Sequence, residues 1–371
     1  MIQNILIIFA AFFVSSVCGF ISIPIILNFC KKNNLYDIPN KRKIHKNAIP
    51  RLGGICFSPS MVLAVIIAIF VINNSSANAH IINLSLWSIF FFIGLLIIYV
   101  TGIVDDILGL GAKTKFTTQI IASTIMPASG LYINNLYGLF GIYSIPFWVG
   151  APLTVLILVV IINSINLIDG IDGLAGGLTL LALSGFLICF YREEMIAYCS
   201  LISGLMGVLV AYLYFNMWGK VDKNRKIFMG DSGSLTLGYI LGFLLVKFTM
   251  HNPNIMAYHG DGFLISYTFL IVPCFDVVRV VLVRLFHHTH LFRADKNHIH
   301  HKLIRAGMSQ HNALIMILSL AVFFIIVNEL LYKHIDTTYI VLIDALIYII
   351  FNYAVDIQIC RKGTRIFSQK I

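Results

Sequence analysis

Eleven runs of apolar residues, each long enough to cross a bilayer, limit what this chain can fold into. A spanning helix needs about 17–25 predominantly apolar residues. Such runs occupy residues 5–29, 55–72, 84–104, 116–133, 149–166, 173–191, 196–215, 234–249, 263–284, 313–331 and 339–356. They are continuous rather than alternating, which selects helices over barrel strands. The expected fold is an all-α polytopic integral membrane protein with about 11 transmembrane helices. It is read as a single multi-span domain over 1–371, with core motifs within 37–307. The eighth run is short, so its helix should reach into the flanking loops. Composition agrees, at 59% hydrophobic and 11% charged residues. Soluble domains have about 45–50% and about 25%, so a water-soluble globule is excluded. The first run has no basic stretch before it and carries Lys31 and Lys32 after it, which reads as a span rather than a signal peptide. The seven cysteines form no CxxC pair and read as inert, mostly buried thiols.

The net charge of +10 is informative through its distribution. The loops 30–54, 105–115, 216–233 and 285–312, the tail 357–371 and Arg284 hold 22 of the 26 Lys and Arg. They share one side of the membrane if the spans alternate. The positive-inside rule then places the N-terminus outside and the C-terminus in the cytosol. The surplus reads as sidedness and contact with anionic membrane lipid, with no nucleic acid implied.

The same alternation gathers five acids on that face. Asp105 and Asp106 end the third span, Asp169 and Asp172 follow the fifth, and Asp231 precedes the eighth. In NSINLIDGIDGLAGG (163–177), Asn163, Asn166, Asp169 and Asp172 recur every three residues among glycines, which places the last three on one helical face. The loop has no Lys or Arg. Its carboxylates therefore need a metal, a proton or a cation from elsewhere, and hard oxygen ligands suit Mg²⁺ or Mn²⁺. FMGDSGS (228–234) reads as a glycine turn into a helix, whose first amides favour a phosphate while Asp231 holds a metal. VDDILGLGAKTK (104–115) sets two mutually repelling acids near Lys113 and Lys115, so one acid is expected to bind metal or act as a base. DIPNKRKIHKNAIPRLGG (37–54), with His45 and Arg51, and the 285–307 segment, with His298, His300 and His301, supply cations and imidazoles for a polyanionic ligand. Within the spans, Asp276 and Arg279 are spaced to pair, while Asp344 has no evident partner.

Taken together, IPRLGG, VDD, NLIDGIDGLAGG, FMGDSGS and HIHH resemble, in order, the polyprenyl-phosphate N-acetylhexosamine-1-phosphate transferases of glycosyltransferase family 4. The first and last segments are most similar to the WecA/TagO-like branch, related to MraY. The resemblance covers about residues 20–307. It implies transfer of N-acetylhexosamine-1-phosphate, by default GlcNAc-1-phosphate, from a UDP-sugar to undecaprenyl phosphate, releasing UMP. It further implies Mg²⁺ (or Mn²⁺), work at the cytosolic face of the bacterial plasma membrane, and a homodimer. By motif, Asp105, Asp106, Asp169 and Asp172 match the family's catalytic acids, and Asp231, with Asp105 and Asp106, its metal-binding set. Asn166, Phe228, His298, His300, His301, Lys113, Lys115, Arg51 and His45 fall on the substrate side, with Phe228 where the family stacks uracil.

The residues bear on this chemistry independently. Three phosphoryl groups must meet at one face, and their repulsion is offset by a divalent cation plus basic side chains. The acceptor monoester is largely a dianion at neutral pH, so a general base is dispensable and direct attack on phosphorus is favoured, with a two-step path through an aspartyl-phosphate as the alternative. Two alternatives are an MraY-like phospho-MurNAc-pentapeptide transferase and a metal-cation transporter with a His-rich cytosolic loop. A transporter places its polar residues near the bilayer midplane, commonly in related halves; here the acids sit at one face and no internal repeat is visible.

Overall fold

The computed structural model describes residues 2–37, 48–75, 86–253, 260–290 and 296–368. Its organising element is a helix buried on all sides, α8 (Gly230–Thr249), in which every residue from Ser232 onward is buried. A helix apolar all round belongs in the middle of a large bundle. Around α8 pack α3 (Leu86–Leu108), α5 (Phe147–Ile168) and α6 (Leu174–Arg192). Glycines set the approach. A Cβ at Gly102 would strike the backbone of Asp231 and Ser232, and one at Gly238 the backbone of Ile162. Small residues bring helix backbones together where lipid offers no hydrophobic drive.

A second layer contains α1 (Ile2–Lys32), α2 (Phe57–Ser75) and α7 (Ile196–Trp218). Helix α1 buries one stripe, Ile7, Ala11, Ser15, Gly19, Ile23, Leu27 and Cys30, and packs it along α7, leaving Phe9 and Phe13 exposed. Ser203 of α7 donates to the Ile8 carbonyl at 2.7 Å, close to where the Cβ-less Gly207 meets Phe12. On the other flank lie α12 (Gln310–Leu331) and α13 (Thr337–Ser368).

Among the described residues, nine helices are long and apolar enough to cross a membrane. Two expected spans take other forms. The fourth is the 17-residue α4 (Ala112–Ala128), followed by an antiparallel hairpin of β3 (Asn135–Leu139) and β4 (Ile142–Ser144). Helix α4 and the segment after it pack along α5. Asn163 donates to Gln119 at 2.6 Å near one end, and Thr154 accepts from the Ile133 amide at 2.9 Å near the other. The ninth run is broken into α9 (Gly262–Thr268) and α10 (Ile271–Phe286). Asp344 lies near this break and has partners after all: Tyr267 Oη at 2.7 Å and Asn328 Nδ2 at 2.9 Å. The short eighth run extends as expected, with α8 starting at Gly230.

Of the cysteines, Cys30, Cys56, Cys189 and Cys199 are buried, Cys18 and Cys274 half-buried and Cys360 exposed. None of the seven forms a disulfide among the described residues.

Candidate active site

The acids of the three Asp motifs meet at one end of the bundle. Helix α3 stops there because Gly109 takes φ +74° and its amide bonds the Asp105 carbonyl, turning the chain into α4. Asp105 uses Oδ1 to accept from the Leu110 amide at 2.6 Å. Its Oδ2 lies 3.0 Å from Lys115 Nζ, and the same ammonium lies 3.1 Å from Asp231 Oδ2. Two carboxylates from different helices thus share one cation supplied by α4.

Asp106, next along α3, does something different. Its Oδ1 and Oδ2 accept from the Asp231 and Ser232 amides at 2.8 and 2.9 Å. These are among the first amides of α8, which have no partner within their own helix. Asp106 is therefore the anion at the α8 N-terminus, supplied from another helix. The expected phosphate on those two amides is replaced by this carboxylate, because a buried helix start must be satisfied even without ligand. Asn166 completes the knot: Nδ2 donates to Asp231 Oδ1 and, at 2.8 Å, to Ser234 Oγ.

IPRLGG is zipped onto FMGDSGS. The Phe228 amide donates to the Pro50 carbonyl at 2.8 Å, Gly53 to Phe228 at 2.9 Å and Gly54 to Met229 at 2.8 Å. Gly230 begins α8 at φ +74°, and a Cβ there would overlap the Arg51 carbonyl and the Asp106 carboxylate. Two motifs nearly 180 residues apart are thus one backbone unit. Phe228 and Arg51 are both half-buried beside it.

The DGIDG loop carries the remaining two acids. Asp172 meets Lys226 Nζ at 2.6 Å, and that ammonium also donates to the Asn216 carbonyl. The cation missing from this loop's own sequence comes from the segment before FMGDSGS. Asp169, half-buried, has no hydrogen-bond or ion-pair partner among the described residues. Burial, followed by the Asp231, Asp172 and Asp106 carboxylates, pushes its pKa up from 3.8 to about 7. Gly170, next to it, abuts His300, whose Nε2 a Cβ would overlap.

His298 precedes the short helix α11 (Ile299–Arg305) and is held by Asp276 of α10, Nδ1 to Oδ2, at 2.8 Å. The His298 and His300 rings are parallel at 6.2 Å, and His301 tilts against His300 at 4.2 Å. His300 is 1% exposed with both ring nitrogens unbonded among the described residues, and burial, then the nearby His301, lowers its pKa to about 3. It is a neutral imidazole packed on the DGIDG loop. Lys113 is exposed on α4, outside this cluster, and His45 lies outside the described residues.

Among the described residues, no three His, Cys, Asp or Glu side chains gather into a closed metal site. The donor set nevertheless fits a hard divalent cation. Asp105 and Asp231 already share a cation between two oxygens, and Mg²⁺ is commonly held by one or two carboxylates while keeping several waters.

Residues 87–249, from α3 through α8, match the family model described as glycosyl transferase family 4. Over this stretch the chain is similar to glycosyl transferase family 4. The matched stretch contains all five site acids but neither IPRLGG nor the histidines, which the fold brings to it. Over 369 residues the chain is 29% identical to a Bacillus subtilis (strain 168) protein named "Probable undecaprenyl-phosphate N-acetylglucosaminyl 1-phosphate transferase", covering 97% of this chain and 93% of the relative. It is 26% identical over 290 residues to the undecaprenyl-phosphate alpha-N-acetylglucosaminyl 1-phosphate transferase of Yersinia pestis, and 27% over 294 residues to that of Escherichia coli (strain K12). Each of those two alignments covers 77% of this chain and 74% of the relative.

Sequence reasoning missed three residues of this site. Lys226 neutralises Asp172. Asn216 joins two motifs, accepting from the Gly173 amide at 2.8 Å and donating to the Ile227 carbonyl at 2.9 Å. Gln119 holds Asn163. Lys226 alone left a signal, as the cation demanded by a loop of unpaired acids.

Proposed function

We propose that this protein transfers GlcNAc-1-phosphate from UDP-GlcNAc to undecaprenyl phosphate and releases UMP. The observation that carries the reading is the pairing of Asp105 and Asp231 on one shared cation, beside the unpartnered Asp169. The named relatives supply the donor and acceptor classes. In this reading the protein sits in the bacterial plasma membrane, crosses it eleven times and keeps the site at the cytosolic face; the 22 basic residues assigned to that side support it.

Asp105 and Asp231 would hold Mg²⁺ or Mn²⁺, which when bound neutralises phosphate charge in the transferring group. Lys115 lies between these carboxylates and is placed to take up phosphate charge once they are otherwise engaged. Asp106 keeps the α8 start, and therefore Asp231, in register. Asn166 fixes which Asp231 oxygen faces the ligand. Asp169 is poised to take or orient the acceptor's proton near neutral pH, although a dianionic acceptor needs little help. Phe228 offers an aromatic face for the uracil.

The test is detergent-solubilised protein given UDP-GlcNAc, undecaprenyl phosphate and Mg²⁺, with UMP and the mass of the lipid product measured. UMP released with a product heavier by GlcNAc-phosphate is expected; no UMP from any UDP-N-acetylhexosamine sinks the reading. Asp231→Asn should abolish turnover while the protein still inserts in the membrane, and normal turnover in that variant would remove the metal assignment.

A further inference from the structure

The ninth hydrophobic run contains an acid that the transfer chemistry does not use. Asp276 of α10 is fully buried, yet four donors converge on it. Oδ1 accepts from Arg279 Nη2 at 2.9 Å, from the Ile299 amide at 3.0 Å and from Tyr348 Oη at 3.3 Å; Oδ2 meets His298 Nδ1 at 2.8 Å. Arg279 also donates to the Asn297 carbonyl. The Ile299 amide is the first of α11, whose preceding residue, His298, gives it no side-chain cap. One carboxylate therefore caps the histidine helix and grips its first imidazole.

This geometry has a chemical consequence. A carboxylate paired with Arg279 is an anion and can only accept, so His298 must carry its hydrogen on Nδ1. Nε2, which makes no hydrogen bond among the described residues, is then the nitrogen with an unused lone pair. The second partner of an imidazole sets its tautomer and its aim, and removing such partners from metal-ligating histidines commonly costs about 10–100-fold.

We propose that Asp276 is a positioning residue for the transferase site: it fixes the tautomer and direction of His298, so that Nε2 is presented to the nucleotide-sugar. This rests on the transferase reading above. The role is exerted through His298, and a packing residue would not show that dependence. Asp276→Asn keeps the shape and an acceptor for Arg279, but it can turn an N–H toward Nδ1, which reverses the tautomer.

The experiment measures kcat/KM for UDP-GlcNAc, and melting temperature in detergent, for wild type, Asp276→Asn, His298→Ala and the double variant. Wild-type UMP release is the reference, so an inactive wild type with all UDP-N-acetylhexosamines refutes the function rather than this inference. With an active wild type, Asp276→Asn is expected to fall by about 10–100-fold, and the double variant to stay within about threefold of His298→Ala. Asp276→Asn within about twofold of wild type overturns the proposal. So does a double variant about tenfold or more below His298→Ala, since Asp276 would then act independently of His298. Asp276→Glu keeps the charge for Arg279 and Tyr348 and guards against misfolding. It should still fold, with a melting temperature lowered by the added methylene, and lose about tenfold or more in kcat/KM; full activity in it also overturns the role.

Discussion

At the scale of single residues, chemically identical side chains have been given separate tasks. Asp105 and Asp231 share the Lys115 ammonium, Asp106 caps a helix, Asp172 is neutralised by Lys226, and Asp169 has no partner among the described residues. Asp169 has a measurable signature. Its folded pKa of about 7 is above its ordinary 3.8, so the folded state binds the proton more tightly than the unfolded chain does. Its contribution is fully present below pH 3.8 and is lost as pH rises through about 7. Asp169→Asn does not titrate. In EDTA, the melting temperature of Asp169→Asn relative to wild type should therefore increase between about pH 5 and about pH 8. Added Mg²⁺ should narrow that gap by offsetting the neighbouring negative charge. A difference that stays flat with pH would show that Asp169 titrates normally.

At the scale of elements, the site is a set of joints between chain segments. The most constrained is the seam between IPRLGG and FMGDSGS, where a Cβ on Gly54 would overlap the Gly233 backbone. Backbone cannot step aside as a side-chain tip can. Gly54→Ala should therefore destabilise by about 1–3 kcal/mol, read as a lower melting temperature, and should also reduce UMP release because the seam carries Phe228. Unchanged melting and turnover would mean the seam opens freely. The hinge in the ninth run has a similar logic. Tyr267 bonds Asp344 just before the break, while Asp276 just after it anchors the histidine helix. A single straight helix would be a different scaffold for these two buried acids.

At the scale of the molecule, sidedness is the testable property. A reporter that fluoresces only in the cytosol, fused after residue 371, should light up, and one active only outside the cytosol should stay dark. The reverse pattern would invert the orientation and with it the side on which the donor sugar must be supplied. The spans themselves were legible because a bilayer demands length and continuous apolarity, which any window of sequence displays. The count was less so. The 17-residue α4 and the broken α9–α10 pair have no local marker that separates them from full-length spans.

The sequence by itself determined the membrane class, the gathering of five acids at one end and the transferase motifs, because these depend on local composition, span alternation and residue order. It could also state that the DGIDG loop lacked a cation. Only the tertiary structure decided which cation arrives, that Asp106 serves a helix start and not a phosphate, that His300 is a buried neutral ring, and that Asp276 lies behind the histidines. Those facts are pairings between residues up to more than a hundred positions apart. The free energy of a buried charge is set by what touches it, and contacts of that range exist only once the helices have packed.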